Sequence, residues 1–591
     1  MTQLDGVPLL IEFAAAQCAV LSPQALLPLL QQPLDFLQSR WPDAPARQQS
    51  PRQALDWSYQ LLSPVDQTML RRLALFVDGA TLDTILAVCT LEATPDEASR
   101  EPPTDTLMSL ARLVDQSLLQ RTDDLGGAPR FRLLHITRVD AQASWTTAAE
   151  ASVFRARLAQ YFLSLAKQAS AEIHRKHSSS WVHRPDHEAG SSRGRWMERL
   201  DREMGDLRAA RAFFLGDPAW VAHRLRLAAA LYPYWAHRGE LAEGRTWLEE
   251  AIAASRDLPV PDPDRANALY AAGKLAEHQG DYAAAAFLRE AIRLLRTTGD
   301  AARLADALAW HACVSFEVCP EPERRALIEE SLAIYQQLAD IPGQAKAFNF
   351  FGEMARLAGD YDRATEFYEQ SLALYQQAED SGALAVIRHN LGYVAQHRQD
   401  YARATVLFSD ALALYRHYGD RRLLVICLAA LAAVASIGRP ERAARLFAAA
   451  EAHLETMGTR MQPADLAEHQ RNVADVRTAM EEQAFQRAWA EGRTMSLEQA
   501  LAYVQEAAPG APPVGQDRSP RPASAPAEQL TARELEVADL IARGLTNRQI
   551  ALRLVIAERT VDKHVGNILA KFGFASRAQI AAWAATERLG R

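Results

Sequence analysis

What this chain of 591 residues lacks narrows its chemistry quickly. Cysteine is scarce: Cys18, Cys89, Cys313, Cys319 and Cys427 form no CxxC pair and no other metal spacing, and their scatter suits reduced thiols in a cytoplasm. A disulfide framework is therefore excluded and no metal is implied. Long apolar runs are also missing. The most apolar stretch after the start, Leu423 to Gly438, is shorter than the about 18 residues a membrane helix needs and is rich in Ala, which predicts a buried helix and no membrane partner. The apolar start, Val7 to Leu21, has no basic lead-in and contains Glu12, so it is a poor signal peptide. A phosphate-cradling loop, G-x-x-x-x-G-K-[ST], is absent. The only Gly-Lys, Gly273-Lys274, is followed by Leu275 and has no glycine five residues before it. With neither that loop nor a Walker B segment in the chain, the expectation is no enzyme, no cofactor and no tight ATP binding. Positive charge is short as well: 65 Lys and Arg face 73 Asp and Glu, net −8, which excludes a generally basic surface.

What the chain does have is a repeat. Asp300, Asp340, Asp380 and Asp420 stand 40 residues apart, each closing a similar phrase: REAIRLLRTTGD, EESLAIYQQLAD, EQSLALYQQAED and SDALALYRHYGD. Gly352, Ala355, Ala364, Tyr368 and Ser371 return as Gly392, Ala395, Ala404, Phe408 and Ala411. Small residues at close helix crossings and an aromatic knob are what a stacked helix-turn-helix unit needs. These offsets resemble tetratricopeptide repeats, in a unit longer than the usual one of about 34 residues. The turns GDY at Gly280 and Gly359, and QDY at Gln399, join the two helices of a copy. Clear copies run from about 264 to 420, a degenerate one follows to about Gly458, and another is marked by RGELAEG and LEEAI between Tyr232 and Ala254. The turn near Cys313 is replaced by VCPEPE. Tyr335, Tyr375 and Tyr415 recur at one position, which reads as packing between repeats. The array should present a concave surface for a peptide, a protein or a small ligand; its plainer reading is a rigid spacer.

The last sixty or so residues carry the most specific pattern. From Leu530 the chain reads LTARELEVADLIARGLTNRQIALRLVIAERTVDKHVGNILAKFGFASRAQIAAWAA, with apolar residues returning every three or four positions across three breaks. The first of four short helices runs from about Ala532 to Arg543, and Thr531 with Glu534 has the spacing of a capping box. A second begins after Thr546, itself suited to capping it. In the third, Val561, Val565, Ile568, Leu569 and Phe572 share one face, leaving Arg559, Asp562, Lys563, Gly566 and Asn567 outward. Such a helix fits the major groove of B-DNA while its predecessor crosses the backbone. Residues 528 to 591 hold ten Lys and Arg against seven Asp and Glu, net +3, so attraction to DNA is concentrated here.

This segment resembles the LuxR-type DNA-binding domain, a four-helix module of bacterial transcription regulators. The resemblance implies a motif from Asn547 to about Gly566, a last helix, Ser576 to Ala585, used for dimerisation on DNA, and double-stranded DNA as partner. It places Arg559 and Thr560 at phosphates and groove edge, and Lys563, His564 and Asn567 along the reading face; Thr546 and Asn547 open the motif. Asp562 and Gly566 depart from the basic or longer polar residues many members carry. Asp562 could accept from a cytosine amino group or only exclude a phosphate. Next to the apolar stripe, His564 is either a packed histidine or a base reader. Lys571 is either a phosphate contact or a solvated lysine.

The first 150 residues read as helices up to Leu119, two of them within residues 3 to 40, then a hairpin pairing Ser117–Arg121 with Arg130–Leu134 across Asp123 to Ala128. This combination resembles the carboxy-terminal half of the nucleotide-binding unit of STAND or NB-ARC-type signalling ATPases, with a winged helix. The resemblance implies that Gly6-Val7-Pro8 matches G-L-P, Pro8 being a vestige of the nucleotide pocket, and that the other half is missing, through truncation or a separate chain. The family's nucleotide-contacting histidine would fall at Leu134, one residue before His135. The wing loop carries Asp123 and Asp124, which oppose phosphates. His174, His177, His183 and His187 lie in a Ser/Gly/Arg-rich stretch that reads as a disordered insertion before a helix from Trp196 to Phe214, with metal binding as the alternative.

The expected fold class is all-α: a winged-helix remnant, a tetratricopeptide-like α-solenoid and a four-helix helix-turn-helix domain, with one small β-hairpin. The expected domains are 1–45, a helical remnant of a STAND/NB-ARC-type NTPase; 46–145, winged helix; 146–230, a helical connector with the insertion 172–194; 231–505, repeat array and terminal helices; 507–528, a Pro/Ala-rich linker spanning about 50 Å if extended; and 529–591, the LuxR-type domain. The functional reading is a cytoplasmic DNA-binding transcription regulator that dimerises on DNA and is controlled by a sensor array. The alternatives are an interaction scaffold with a silent tip, and an ATP-dependent switch whose phosphate loop is supplied from elsewhere.

Overall fold

The computed structural model describes residues 51–90, 104–123, 129–174, 192–505 and 530–572, apart from positions 146, 282, 317, 419, 436, 543, 544, 546, 555 and 557; Ile11, Ala15, Cys18, Ile580 and Ala584 are described singly. The two helices expected in residues 3–40, Pro8, and His177, His183 and His187 lie outside the described residues. The chain forms two compact units, 1–505 and 506–591. Among the described residues no helix is long and apolar enough to cross a membrane, and no group of three or more His, Cys, Asp and Glu could hold a metal.

Unit 1 opens with helices Pro51–Gln60, Pro64–Leu73, Leu82–Cys89 and Thr104–Asp115 around a three-stranded antiparallel sheet ordered β1-β3-β2. Here β1 is Ala80–Thr81, β2 Leu119–Asp123 and β3 Pro129–Leu133, with Leu119 opposite Leu133 and Asp123 opposite Pro129. The expected hairpin is present in a slightly shifted frame. The added strand β1 is two residues long, too short to leave a period-two pattern, and it needs the left-handed Gly79 (φ +77°) to turn onto Phe131. Asp66, buried, fastens the helix Thr104–Asp115: it accepts from Ser109 and, at 2.9 and 2.7 Å, from Arg112. Arg112 first, and Ser109 and Ser63 with it, hold that carboxyl down to about 2 against the pull of burial. The sheet is joined to the long helix Ser192–Leu215 by Arg130, bidentate on buried Glu203, and by Asp206, which accepts from Val77 N–H at 2.7 Å.

From Val221 the chain is a solenoid of antiparallel helix pairs: Val221–Arg238 with Leu241–Ala254, Asp262–His278 with Ala283–Thr298, Ala301–Val314 with Glu321–Gln337, Ile341–Leu357 with Tyr361–Gln377, Ser381–His397 with Tyr401–Tyr418, and Arg421–Ala435 with Pro440–Thr456. The aspartates spaced 40 residues apart open helices. Asp300, Asp340, Asp380 and Asp420 each accept from the backbone N–H three residues on, at 3.0–3.1 Å, and so cap the next pair. A residue in the left-handed region precedes three of them, Gly299, Ala339 and Glu379. The glycines work as the spacing suggested. An added Cβ at Gly352 would sit 2.5 Å from the Tyr368 ring, and one at Gly392 2.5 Å from the Phe408 ring, so these helices cross at a distance only glycine allows. Tyr335, Tyr375 and Tyr415 are buried, and Tyr335 packs on Gly343 of the following pair. Gly273 is a packing glycine against Leu288, consistent with its place in a repeat helix.

The face formed by the first helices of the later pairs is covered in part. The helix Pro463–Thr478, after the last pair, turns back and lies on it. Thr459 Oγ1 donates to His278 C=O at 2.6 Å, Gln462 to Glu277 at 2.9 Å, Arg356 to Asp465 at 2.9 Å and Gln396 to Asn472 at 2.8 Å. These partners lie 76 to 185 residues apart in sequence, beyond what a repeat register shows. Helices Glu482–Arg493 and Leu497–Gln505 then complete the unit.

Candidate nucleic-acid interface

In unit 2 the helices Ala532–Ala542, Asn547–Leu554 and Glu558–Phe572 close around Val537, Ala538, Leu540, Ile541, Ile550, Ala551, Val561, Val565 and Ile568. Ile580 and Ala584, from the segment expected to form a fourth helix, join this core; the other residues of that segment lie outside the described residues. Apolar residues three and four apart give each helix one face to bury, and burying it fixes which face is left out.

The capping box is formed as the spacing implies. Thr531 N–H donates to Glu534 Oε2 at 2.8 Å, and Glu534 N–H donates back to Thr531 Oγ1 at 3.3 Å. Glu534 is also buried, and Lys571 Nζ from the end of the third helix donates to the same oxygen at 2.6 Å. Burial works to raise the Glu534 carboxyl, but Lys571 and the two Thr531 donors prevail and hold it at about 2. Arg533 reaches across to the carbonyl of Leu554 at 2.7 Å, satisfying an acceptor at the end of the second helix. The Lys571 pair clamps the C-terminal end of the third helix onto the first, and Arg533 ties the first helix to the second.

Along the third helix Thr560, Lys563 and Asn567 are exposed, at positions i, i+3 and i+7 of one face, opposite buried Val561, Val565 and Ile568. The backbones of Arg559 and Asp562 lie in the same helix; their side chains, and Thr546, lie outside the described residues. Asn547 is half-buried at the start of the second helix. His564 is half-buried, with its Nδ1 turned into the packed side and without a hydrogen-bond partner among the described residues. Lys571, partly exposed, pairs its ammonium with Glu534. The sequence offered no signal for this pair, whose members are 37 residues apart.

With this geometry, comparison with known proteins is decisive for the tip: residues 528–584 match the luxR family of bacterial regulatory proteins. The tip is a luxR-family domain. Residues 62–142 match a winged helix-turn-helix domain, which covers the sheet and helices around Asp66. A Mycobacterium bovis protein, provisionally named as an HTH-type transcriptional regulator, is 32% identical over 320 residues, 53% of this chain and 33% of the relative. The nitrate/nitrite response regulator NarL of Escherichia coli K12 is 48% identical over 61 residues, 10% of this chain and 28% of NarL. The chain thus spans about a third of the length of the curated relatives it matches. Among solved structures, a STAND protein with a tetratricopeptide repeat sensor from Pyrococcus horikoshii is 14% identical with a TM-score of 0.39, covering 84% of this chain and 73% of that one.

Proposed function

We propose that this chain is a transcription regulator: the luxR-family domain reads the DNA major groove with the helix Glu558–Phe572, and the solenoid sets when it does so. The observation that carries the reading is the exposed row Thr560, Lys563 and Asn567 on a helix whose opposite face is buried in the core of a luxR-family domain. In this reading Lys563 and Asn567 face base edges, Arg559 and Thr560 the backbone and groove edge, and Thr546 and Asn547 the backbone beside the second helix. Asp562 tunes base preference. His564, with Nδ1 inside the packing, supports the helix and offers at most its other nitrogen to DNA. Lys571 is removed from the set of DNA contacts, since a lysine already neutralised by a buried carboxylate adds little to counterion release.

Two tips on neighbouring half-sites about one helical turn apart would bind by avidity, so control of self-association by the array would control occupancy without an enzymatic step. The protein acts in the cytoplasm, where DNA is reached. The test is fluorescence anisotropy of the chain on its own promoter region over a salt series. Specific binding that weakens log-linearly with salt is expected, and Asn567→Ala should cost about 1–3 kcal/mol of base discrimination. Binding indifferent to both Lys563→Ala and Asn567→Ala would instead make the chain an interaction scaffold with a silent tip.

A further inference from the structure

The inner face of the solenoid carries buried polar side chains that helix stacking does not need. Asn349 donates to Glu353 at 2.7 Å and Asn390 to Asn349 at 2.8 Å, and beside them stand Arg356 and His389. The helix Pro463–Thr478 covers them with acidic groups. Arg356 Nη2 donates to Asp465 at 2.9 Å, Arg356 Nη1 is 3.7 Å from Glu468, and His397 Nε2 is 2.8 Å from Glu468.

One feature sets this cover apart from an ordinary packed helix. It satisfies the face incompletely: Arg356, with 1% of its side chain exposed, has Nε and Nη1 without a hydrogen-bond partner among the described residues, and so have both ring nitrogens of buried His389. Buried donors are normally paired, and a guanidinium is built to receive a carboxylate with two parallel bonds, so this face has more hydrogen-bonding capacity than its cover uses. Its fully buried residues are Ala464, Glu468 and His469, and Leu466, Val473 and Val476 pack partly buried against the solenoid core.

We propose that Pro463–Thr478 is an internal stand-in on a peptide-binding groove, and that the groove takes an acidic helical segment of a partner protein presenting two carboxylates three residues apart to Arg356 and His397. The incoming segment displaces the internal helix, which leads through Glu482–Arg493 and Leu497–Gln505 into the segment that carries the tip. The proposal rests on the reading of the solenoid as a sensor and names the chemistry of what it senses.

The test uses the full chain and, as probe, a fluorescent synthetic peptide of its own residues 463–478, PADLAEHQRNVADVRT. Asp465→Asn/Glu468→Gln should loosen the internal helix, read as faster amide hydrogen exchange over 463–478 with unchanged exchange over Tyr361–Gln377. The peptide should then bind this variant about tenfold more tightly than it binds the unaltered chain, whose groove is occupied. A peptide with the same two carboxylates neutralised should not bind, and Arg356→Gln in the loosened background should abolish binding. Retained protection of 463–478 in the double variant would overturn the proposal, because the ion pairs would then not seat the helix. Equal binding of the acidic and neutral peptides, or no binding to a demonstrably loosened chain, would overturn it too. Promoter binding measured on the same samples separates the two readings: acidic-peptide binding that leaves DNA affinity unchanged supports the groove while removing the sensor role.

Discussion

At Glu534 one carboxylate performs two tasks, capping the first helix of the tip and receiving Lys571 from the end of the third. Its folded-state pKa of about 2 lies below the ordinary 4.5, so the stability it contributes is present above about 4.5 and is lost as the pH falls towards 2. Glu534→Gln should therefore destabilise the tip at pH 7 by on the order of 2 kcal/mol, with allowance for the partly exposed Lys571. Urea unfolding of residues 506–591 at pH 7 and at pH 2 checks this, and the difference between variant and parent should shrink at the lower pH. Lys563 and Lys571 should also part company. Lys563→Ala should cost about 1–3 kcal/mol of base discrimination, as a side chain on base edges does, whereas Lys571→Ala should lower stability and leave discrimination nearly unchanged. Anisotropy of both variants on specific and scrambled DNA would refute the assignment if discrimination fell equally in the two.

At the scale of the element, the solenoid's pairs are held by aromatic rings on glycines and by aspartate caps. Gly352→Ala places a Cβ into the Tyr368 ring at a crossing with no slack, and should destabilise by about 1–3 kcal/mol. Asp340→Ala removes the acceptor for Gly343 N–H and should cost about 1 kcal/mol. Thermal unfolding of the full chain checks both, with an exposed control such as Val406→Ala expected to change little. The glycine and aromatic positions were legible because a repeat prints the same contact several times. The role of the aspartates was half legible: their period was plain, but whether each ended one helix or capped the next depended on backbone angles at Gly299, Ala339 and Glu379.

For the whole molecule, the proposed avidity mechanism makes promoter binding depend on self-association. Apparent affinity should rise with protein concentration through the range in which the chain dimerises, measured by sedimentation and anisotropy on the same samples. Monomeric binding with constant affinity across that range would remove the mechanism.

The sequence by itself determined the helices of the tip, the luxR-type pattern, the winged hairpin and the repeat, because each is written in local periodicity, capping chemistry or spacing. It could not show β1, whose two residues become a strand only against Phe131 and Arg130. Nor could it pair Lys571 with Glu534, or lay Pro463–Thr478 over Arg356 and His397. Those were decided by tertiary structure alone. Side chains far apart in sequence meet only once the helices have stacked, and a buried charge must then find whichever opposite charge the fold has brought near it.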